Sequence, residues 1–312
     1  MSALDSGVKW PEGRRFAFTI FDDPDAQRLA TTRLVYSFLA DLGLRTTIAV
    51  WPLGVRREAN SGGETCANLD YRSFLQELQR TGFEIAFHNA APHASSREET
   101  MEALDRFAEY FGGDPRSMAN HYNEEAIYWG SARLTGWRRG AYNLITRRRN
   151  EGRFFGHVEG HRAFWGDVCR ERIRYCRNFV FADINTLRMD PWMPYSDPLR
   201  PYVRYWFSAS EGDMAPRFLR TLTDRNQDRL EQEGGACIMY THFGHGYVQD
   251  GKLNPEFRRV MERIARKDGW FVPVSTLLDF LMKERGATEL SDSQRARLEA
   301  HWLREKVFRG TS

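Results

Sequence analysis

Asp22 and Asp23 stand side by side in FTIFDDPD, directly after an apolar run. His88 and His93 are separated by four residues in HNAAPH, directly after another, and His242 follows a third, ACIMYT. Carboxylates and imidazoles are the groups that hold divalent metals and move protons near neutral pH. Two imidazoles and one carboxylate make a ligand set for a catalytic divalent metal that leaves positions open for water. A second carboxylate and a distant histidine then provide the base and the acid of a metal-assisted hydrolysis. Each group also has a bland reading. Asp22-Asp23 could be the acidic start of a helix, where carboxylates suit the dipole. Neighbouring histidines are commonly incidental, and this applies equally to His242 with His245. His157 and His161 in GHVEGH have helical spacing, but Gly156 and Gly160 argue against a helix there. What carries weight is the recurrence: Asp22, Asp23, His88, His121, Asp183 and His242 all come immediately after strand-like segments.

The elements that must position them alternate. Strands are predicted at 16–21, 46–51, 83–87, 116–120, 178–184, 202–209, 236–241 and 270–274. Helical periodicity fills the gaps, as with Ala30, Leu34, Val35, Phe38 and Leu42 before Gly43. Ser96 and Glu99 form a capping-box pattern before another such helix. One long helix is expected over 214–233, and 123–176 reads as an elaborated loop region with a helix after Gly166. About seven or eight strand–helix units in one chain predict a parallel barrel, with the polar residues emerging together on its C-terminal face.

The 312 residues are read as one domain, a barrel over 14–284 followed by an amphipathic helix over 291–308 with Leu298 and Trp302 on one face. That face could dock on the barrel or on a second subunit, as in a homo-oligomer. The 45 Lys and Arg balance 42 Asp and Glu to a formal +3, so no nucleic-acid partner is expected. No run approaches the roughly 18–20 apolar residues of a membrane span. The start, MSALDSGVKWPEGRR, has no apolar core, so a cytoplasmic location is expected. Four scattered cysteines then read as free thiols. Aromatics make up 13% of the chain and include nine Trp, which suits a sugar cleft or a large core. Trp129, Trp165, Trp192 and Trp206 are candidates for stacking on a sugar, with core packing the competing reading.

In this order the motifs resemble the polysaccharide deacetylase family (NodB homology). FTIFDDPD at 18–25 is similar to the family's TFDD motif, and GFEIAFHNAAPH at 82–93 to its GHEIGxHxxxH block. CIMYTHFG at 237–244 resembles its late strand ending in His, and GWFVPVSTLLDFL at 269–281 its closing strand and helix. The resemblance runs from about 14 to 284. It implies a distorted (β/α)7–8 barrel and a metal-dependent hydrolase that removes an acetyl group from an N-acetylated sugar or glycan precursor. It implies Asp22 as base and His242 as acid, with Asp183 beside the acid. It implies Asp23, His88 and His93 as ligands of a divalent metal, zinc. Substrate contacts are expected from Asn120, His121, Tyr122 and Trp192, and an oxyanion donor from a backbone N–H near Tyr122. The substrate expected is a small carbohydrate or a nucleotide- or lipid-linked sugar.

Three departures stand out. The two-histidine loop is one residue longer than in the family. Pro24-Asp25 follows the aspartates where Gly-Pro is usual. The family's arginine motif, which orients the base, is replaced by MANHYN at 118–123. Asn120, His121 or an arginine from elsewhere must take that role. The departures keep open hydrolysis of another C–N bond, an O-acetyl ester as substrate, or an inactive barrel.

Overall fold

The computed structural model describes residues 7–312. Seven parallel strands close into a barrel: β1 (Phe16–Asp22), β2 (Thr47–Val50), β3 (Glu84–Phe87), β4 (Ser117–Met118), β5 (Tyr175–Phe181), β6 (Tyr205–Ser210) and β7 (Ala236–Thr241). Closure comes from β7, which pairs along β1 from Ala17 to Asp22 and with β6 at Ser210–Met239. A further parallel strand, β8 (Gly269–Phe271), pairs with only the first three residues of β1. The strands are short and mostly apolar, and every residue of β1, β5 and β7 is buried, Arg177 of β5 included. That is expected of a parallel sheet covered on both faces.

Helices cover the outside, and their ends follow local chemistry. The helix Arg97–Phe111 starts at the expected capping box, with Ser96 and Glu99 satisfying each other's backbone N–H groups, and stops at Gly112 with φ of 81°. The expected helix over 214–233 is instead two, Ala215–Thr221 and Asp224–Gln232. Thr223 interrupts it because its hydroxyl caps the second helix by accepting from the Asn226 N–H.

The fifth strand also differs from expectation. It begins at Tyr175, three residues before the predicted start, and shifts register between Arg177 and Val180. Arg177 therefore sits inside a strand, where its composition alone argued against it. The shift re-aims side chains near the barrel mouth, as bulges do.

The C-terminal helix Asp292–Arg309 docks on the barrel of its own chain. Trp302 packs against Phe179 and Tyr142, with ring centroids 5.5 and 5.6 Å apart. Glu299, fully buried, accepts from Arg138, Arg200 and Thr135 at 2.8–3.0 Å. All four cysteines are buried and free. Among the described residues no helix is long and apolar enough to cross a membrane.

Candidate active site

The C-terminal ends of the barrel strands deliver the polar groups to one pocket. Beyond β1 the chain turns through Asp23-Pro24-Asp25, β3 leads into His88, β4 into Asn120 and His121, and β7 into His242. Asp23, Asp25, His88, His121, Arg177 and His242 line this pocket of about 130 Å³ together with Tyr122, Trp129 and Tyr240. Two glycines let the Asp25 loop lie close to its neighbours. A Cβ on Gly63, whose φ is 152°, would meet the Pro24 carbonyl at 2.5 Å, and one on Gly244 would meet the Asp25 carbonyl at 2.4 Å. The His121 backbone N–H donates to Asn89 Oδ1, fixing the loop after β4.

Asp25 is the centre of the cluster. Its carboxylate oxygens stand 3.4 Å from His121 Nε2, 3.6 Å from His88 Nε2 and 3.5 Å from His242 Nε2. These separations exceed the roughly 2.7–3.2 Å of an N–H···O hydrogen bond. Two bonds of about 2.0–2.1 Å to one zinc ion at the tetrahedral angle set their donor atoms about 3.3–3.4 Å apart. The ligand atoms of Asp25, His88 and His121 all lie within 4.8 Å of one another, so carboxylate and imidazoles fit a shared divalent cation. Burial alone would raise Asp25, but the imidazoles of His121 and His88 outweigh it and hold the carboxyl well below its ordinary range.

Beside this cluster Asp23 is clamped by Arg177, whose two terminal nitrogens lie 2.9 and 2.5 Å from its two carboxylate oxygens. Both side chains are buried. Burial works against the guanidinium charge, and the Asp23 carboxylate more than offsets it. The Arg177 guanidinium also stacks on the Tyr240 ring, 4.2 Å from its centroid. His242 is held from behind by the Asp213 carbonyl, 2.7 Å from Nδ1, which leaves Nε2 facing the pocket.

No protein-family model matches the sequence, and no curated protein sequence matches it. Solved structures do. One from Mycobacterium smegmatis, assigned as a polysaccharide deacetylase, is 12% identical, covers 91% of this chain and 96% of its own, and superposes with a TM-score of 0.53. The fold is that of a polysaccharide deacetylase. A polysaccharide deacetylase from Bacillus cereus, 13% identical over 83% of this chain and 92% of its own, superposes with a TM-score of only 0.34, too distant to carry weight.

Within this barrel the residues singled out from sequence separate into two groups. Asp23, His88, Asn120, His121, Tyr122 and His242 meet at the pocket. Asp22, His93, Asp183 and Trp192 do not line it. Asp22 is fully buried and accepts from Gln27, the Tyr36 hydroxyl and the Phe243 N–H at 2.6–3.0 Å. Burial pushes it well above its usual range, partly offset by the Phe243 and Tyr36 donors. Its contact with Phe243 anchors the turn that carries His242. His93 falls outside the Asp25 cluster, its Nδ1 3.1 Å from the Ala94 carbonyl and 3.4 Å from Arg57. The longer loop after His88 turns this imidazole aside. Asp183 is paired with Arg188 and Arg229, and Trp192 takes Arg297 over its ring. Asn120 spends its amide on both backbone groups of Ile127 and so shapes the pocket wall. Of the four tryptophans only Trp129 lines the pocket, while Trp165 and Trp206 are core residues.

Two charged pocket residues had no role assigned from the sequence. Asp25 is visible in FTIFDDPD as a third carboxylate. Arg177 is visible as the one charge inside YCRNFVF, a signal that this strand faces a buried partner. Arg177→Ala leaves the Asp23 carboxylate buried without its partner and should cost about 3–5 kcal/mol of stability, read from the urea unfolding midpoint. Arg177→Lys, which restores charge but not the fork, should recover part of the loss.

Proposed function

We propose that this chain is a metal-dependent hydrolase that removes an acetyl group from an acetylated sugar. Asp25, His88 and His121 would hold a divalent cation, zinc by the chemistry of the donor set. The observation that carries the reading is the juxtaposition of two acidic units on one strand end. One is a carboxylate ringed by imidazoles, and the other is a carboxylate clamped by an arginine. Bound there, such a cation supplies Lewis acidity toward water and an acyl carbonyl.

Asp23 is the base. The Arg177 fork fixes its orientation, so it can take a proton from water as that water attacks the acetyl carbon. His242 is the acid. Its Nε2, 3.9 Å from Asp23 and aimed into the same pocket, gives a proton to the departing nitrogen or oxygen. The products are acetate and the free amine or alcohol. Asp22 then has a positioning role through Phe243. The Tyr122 N–H at the pocket rim is the oxyanion donor in this scheme, and Trp129 offers a face to the sugar.

Acetate release from N-acetylated sugars tests the proposal. Release should vanish on chelation and return on addition of zinc. Zinc binding without acetate release from any acetylated sugar would overturn the reaction, and release insensitive to chelation would overturn the metal.

A further inference from the structure

The segment 138–153 carries six arginines and one glutamate, an excess of five positive charges in a chain whose formal total is +3. Two of these arginines, Arg147 and Arg149, line a second cavity beside the candidate active site. It has a volume of about 410 Å³, and its walls include Arg147, Arg149, Lys306, Tyr122, Tyr142 and Asn150. No carboxylate lines it. Arg148 turns away to Glu151, whereas Arg147 and Arg149 have no acidic partner among the described residues. Like charges gather without counter-charge at a cost, which an anionic ligand removes.

The backbone at this point is unusual. Arg147 and Arg148 have φ of 51° and 57°, consecutive left-handed residues without a glycine. The turn is held by the Arg148 N–H donating to the Asn143 carbonyl at 2.7 Å. Its outcome is that Arg147 and Arg149 line one cavity while Arg148 does not. Non-glycine residues in this conformation cluster at ligand sites.

The cavity adjoins the Asp23–His242 pocket on two sides. Tyr122 lines both. Its hydroxyl donates to Asn150 and accepts from Arg153, whose guanidinium lies 3.9 Å from the ring centroid. Lys306 lines the cavity and donates to the Thr311 carbonyl, and the next residue, Ser312, lines the pocket.

We infer that the basic cavity holds the phosphate groups of a phosphate-bearing acetylated sugar whose acetyl end enters the Asp23–His242 pocket. The inference rests on the deacetylase reading above. Arginine forks match pairs of phosphate oxygens, and Lys306 and the Asn150 amide add further donors. A nucleoside diphosphate and a lipid-linked phosphate offer this same chemistry.

The test titrates inorganic pyrophosphate into the full-length protein at low salt. Binding should weaken at least tenfold in Arg147→Gln/Arg149→Gln and stay unchanged in Arg220→Gln/Arg225→Gln, two exposed arginines elsewhere. In parallel, the ratio of kcat/KM for N-acetylglucosamine 1-phosphate to that for N-acetylglucosamine should fall at least tenfold in Arg147→Gln/Arg149→Gln, through KM. Equal pyrophosphate affinity in all three proteins, or an unchanged ratio, overturns the inference. Arginine-dependent pyrophosphate binding without acetate release overturns the deacetylase reading and leaves the anion site standing. Titration with UDP against sedimentation with phosphatidylcholine vesicles containing a polyprenyl phosphate then identifies the carrier by which binding the double variant loses.

Discussion

Asp23→Asn should lower kcat by about a thousandfold, within the 10²–10⁴ that a positioned general base contributes, while zinc content stays unchanged. The amide keeps the shape of the carboxylate and one acceptor for Arg177, but it cannot take a proton from water. It also leaves Arg177 buried without a counter-charge, so a drop in stability is expected alongside. Assays below the unfolding transition, with zinc measured on the same samples, separate lost chemistry from lost fold. Asp22→Asn is the informative comparison. Asp22 is sealed behind Gln27, Tyr36 and the Phe243 N–H. Its amide variant keeps one oxygen for the Phe243 N–H but turns its NH2 toward Tyr36 and Gln27, so stability should fall while kcat falls far less than in Asp23→Asn, by about tenfold through the His242 turn. A thousandfold loss in Asp22→Asn with near-normal turnover in Asp23→Asn would reverse the two roles and restore the assignment that the resemblance first implies.

That reversal is a live comparison because adjacent aspartates cannot be ordered by sequence alone. Strand side chains alternate, so of Asp22 and Asp23 one must turn into the sheet and the other toward the mouth. Which one depends on the exact register of β1, and a shift of one residue exchanges them. The ends of β1, β3 and β7 were legible because their strands are unbroken apolar runs bounded by polar residues. The arrival of His88 and His242 at one mouth follows from that pattern. His121 was legible as a strand-end residue, but its approach to Asp25 was not. It depends on how the Asp23-Pro24-Asp25 turn folds back under Gly63 and Gly244, contacts between segments distant in sequence. Arg177 was hidden for a different reason. A charge inside a strand lowers the apparent strand propensity around it, and only the partner carboxylate across the barrel makes the position tolerable. The closeness of His88 and His93 in sequence, with four residues between them, pointed to a shared metal. The extra loop residue undoes it, because one added residue changes where the second imidazole points.

Asp25→Ala and His121→Ala should each lose zinc, and His93→Ala should keep it. Removing one of three protein ligands should weaken binding by at least about 100-fold, since even loss of an outer hydrogen-bonding partner commonly costs 10–100-fold. The consequence is readable without any assay of turnover. A ligand that binds only the folded state stabilises by RT ln(1 + [L]/Kd), about 2.7 kcal/mol at 100 times Kd. At that zinc concentration the wild-type protein should gain that amount over its metal-free form. A variant binding 100-fold more weakly should gain only about 0.4 kcal/mol by the same relation. His93→Ala removes a buried imidazole and so should lower stability with and without zinc alike, leaving the increment on zinc addition intact. The increment, rather than the absolute midpoint, therefore discriminates among the three variants. If His93→Ala abolished the increment while His121→Ala preserved it, the metal would belong to the HNAAPH loop, and the Asp25 carboxylate would have to be explained by its imidazole neighbours alone.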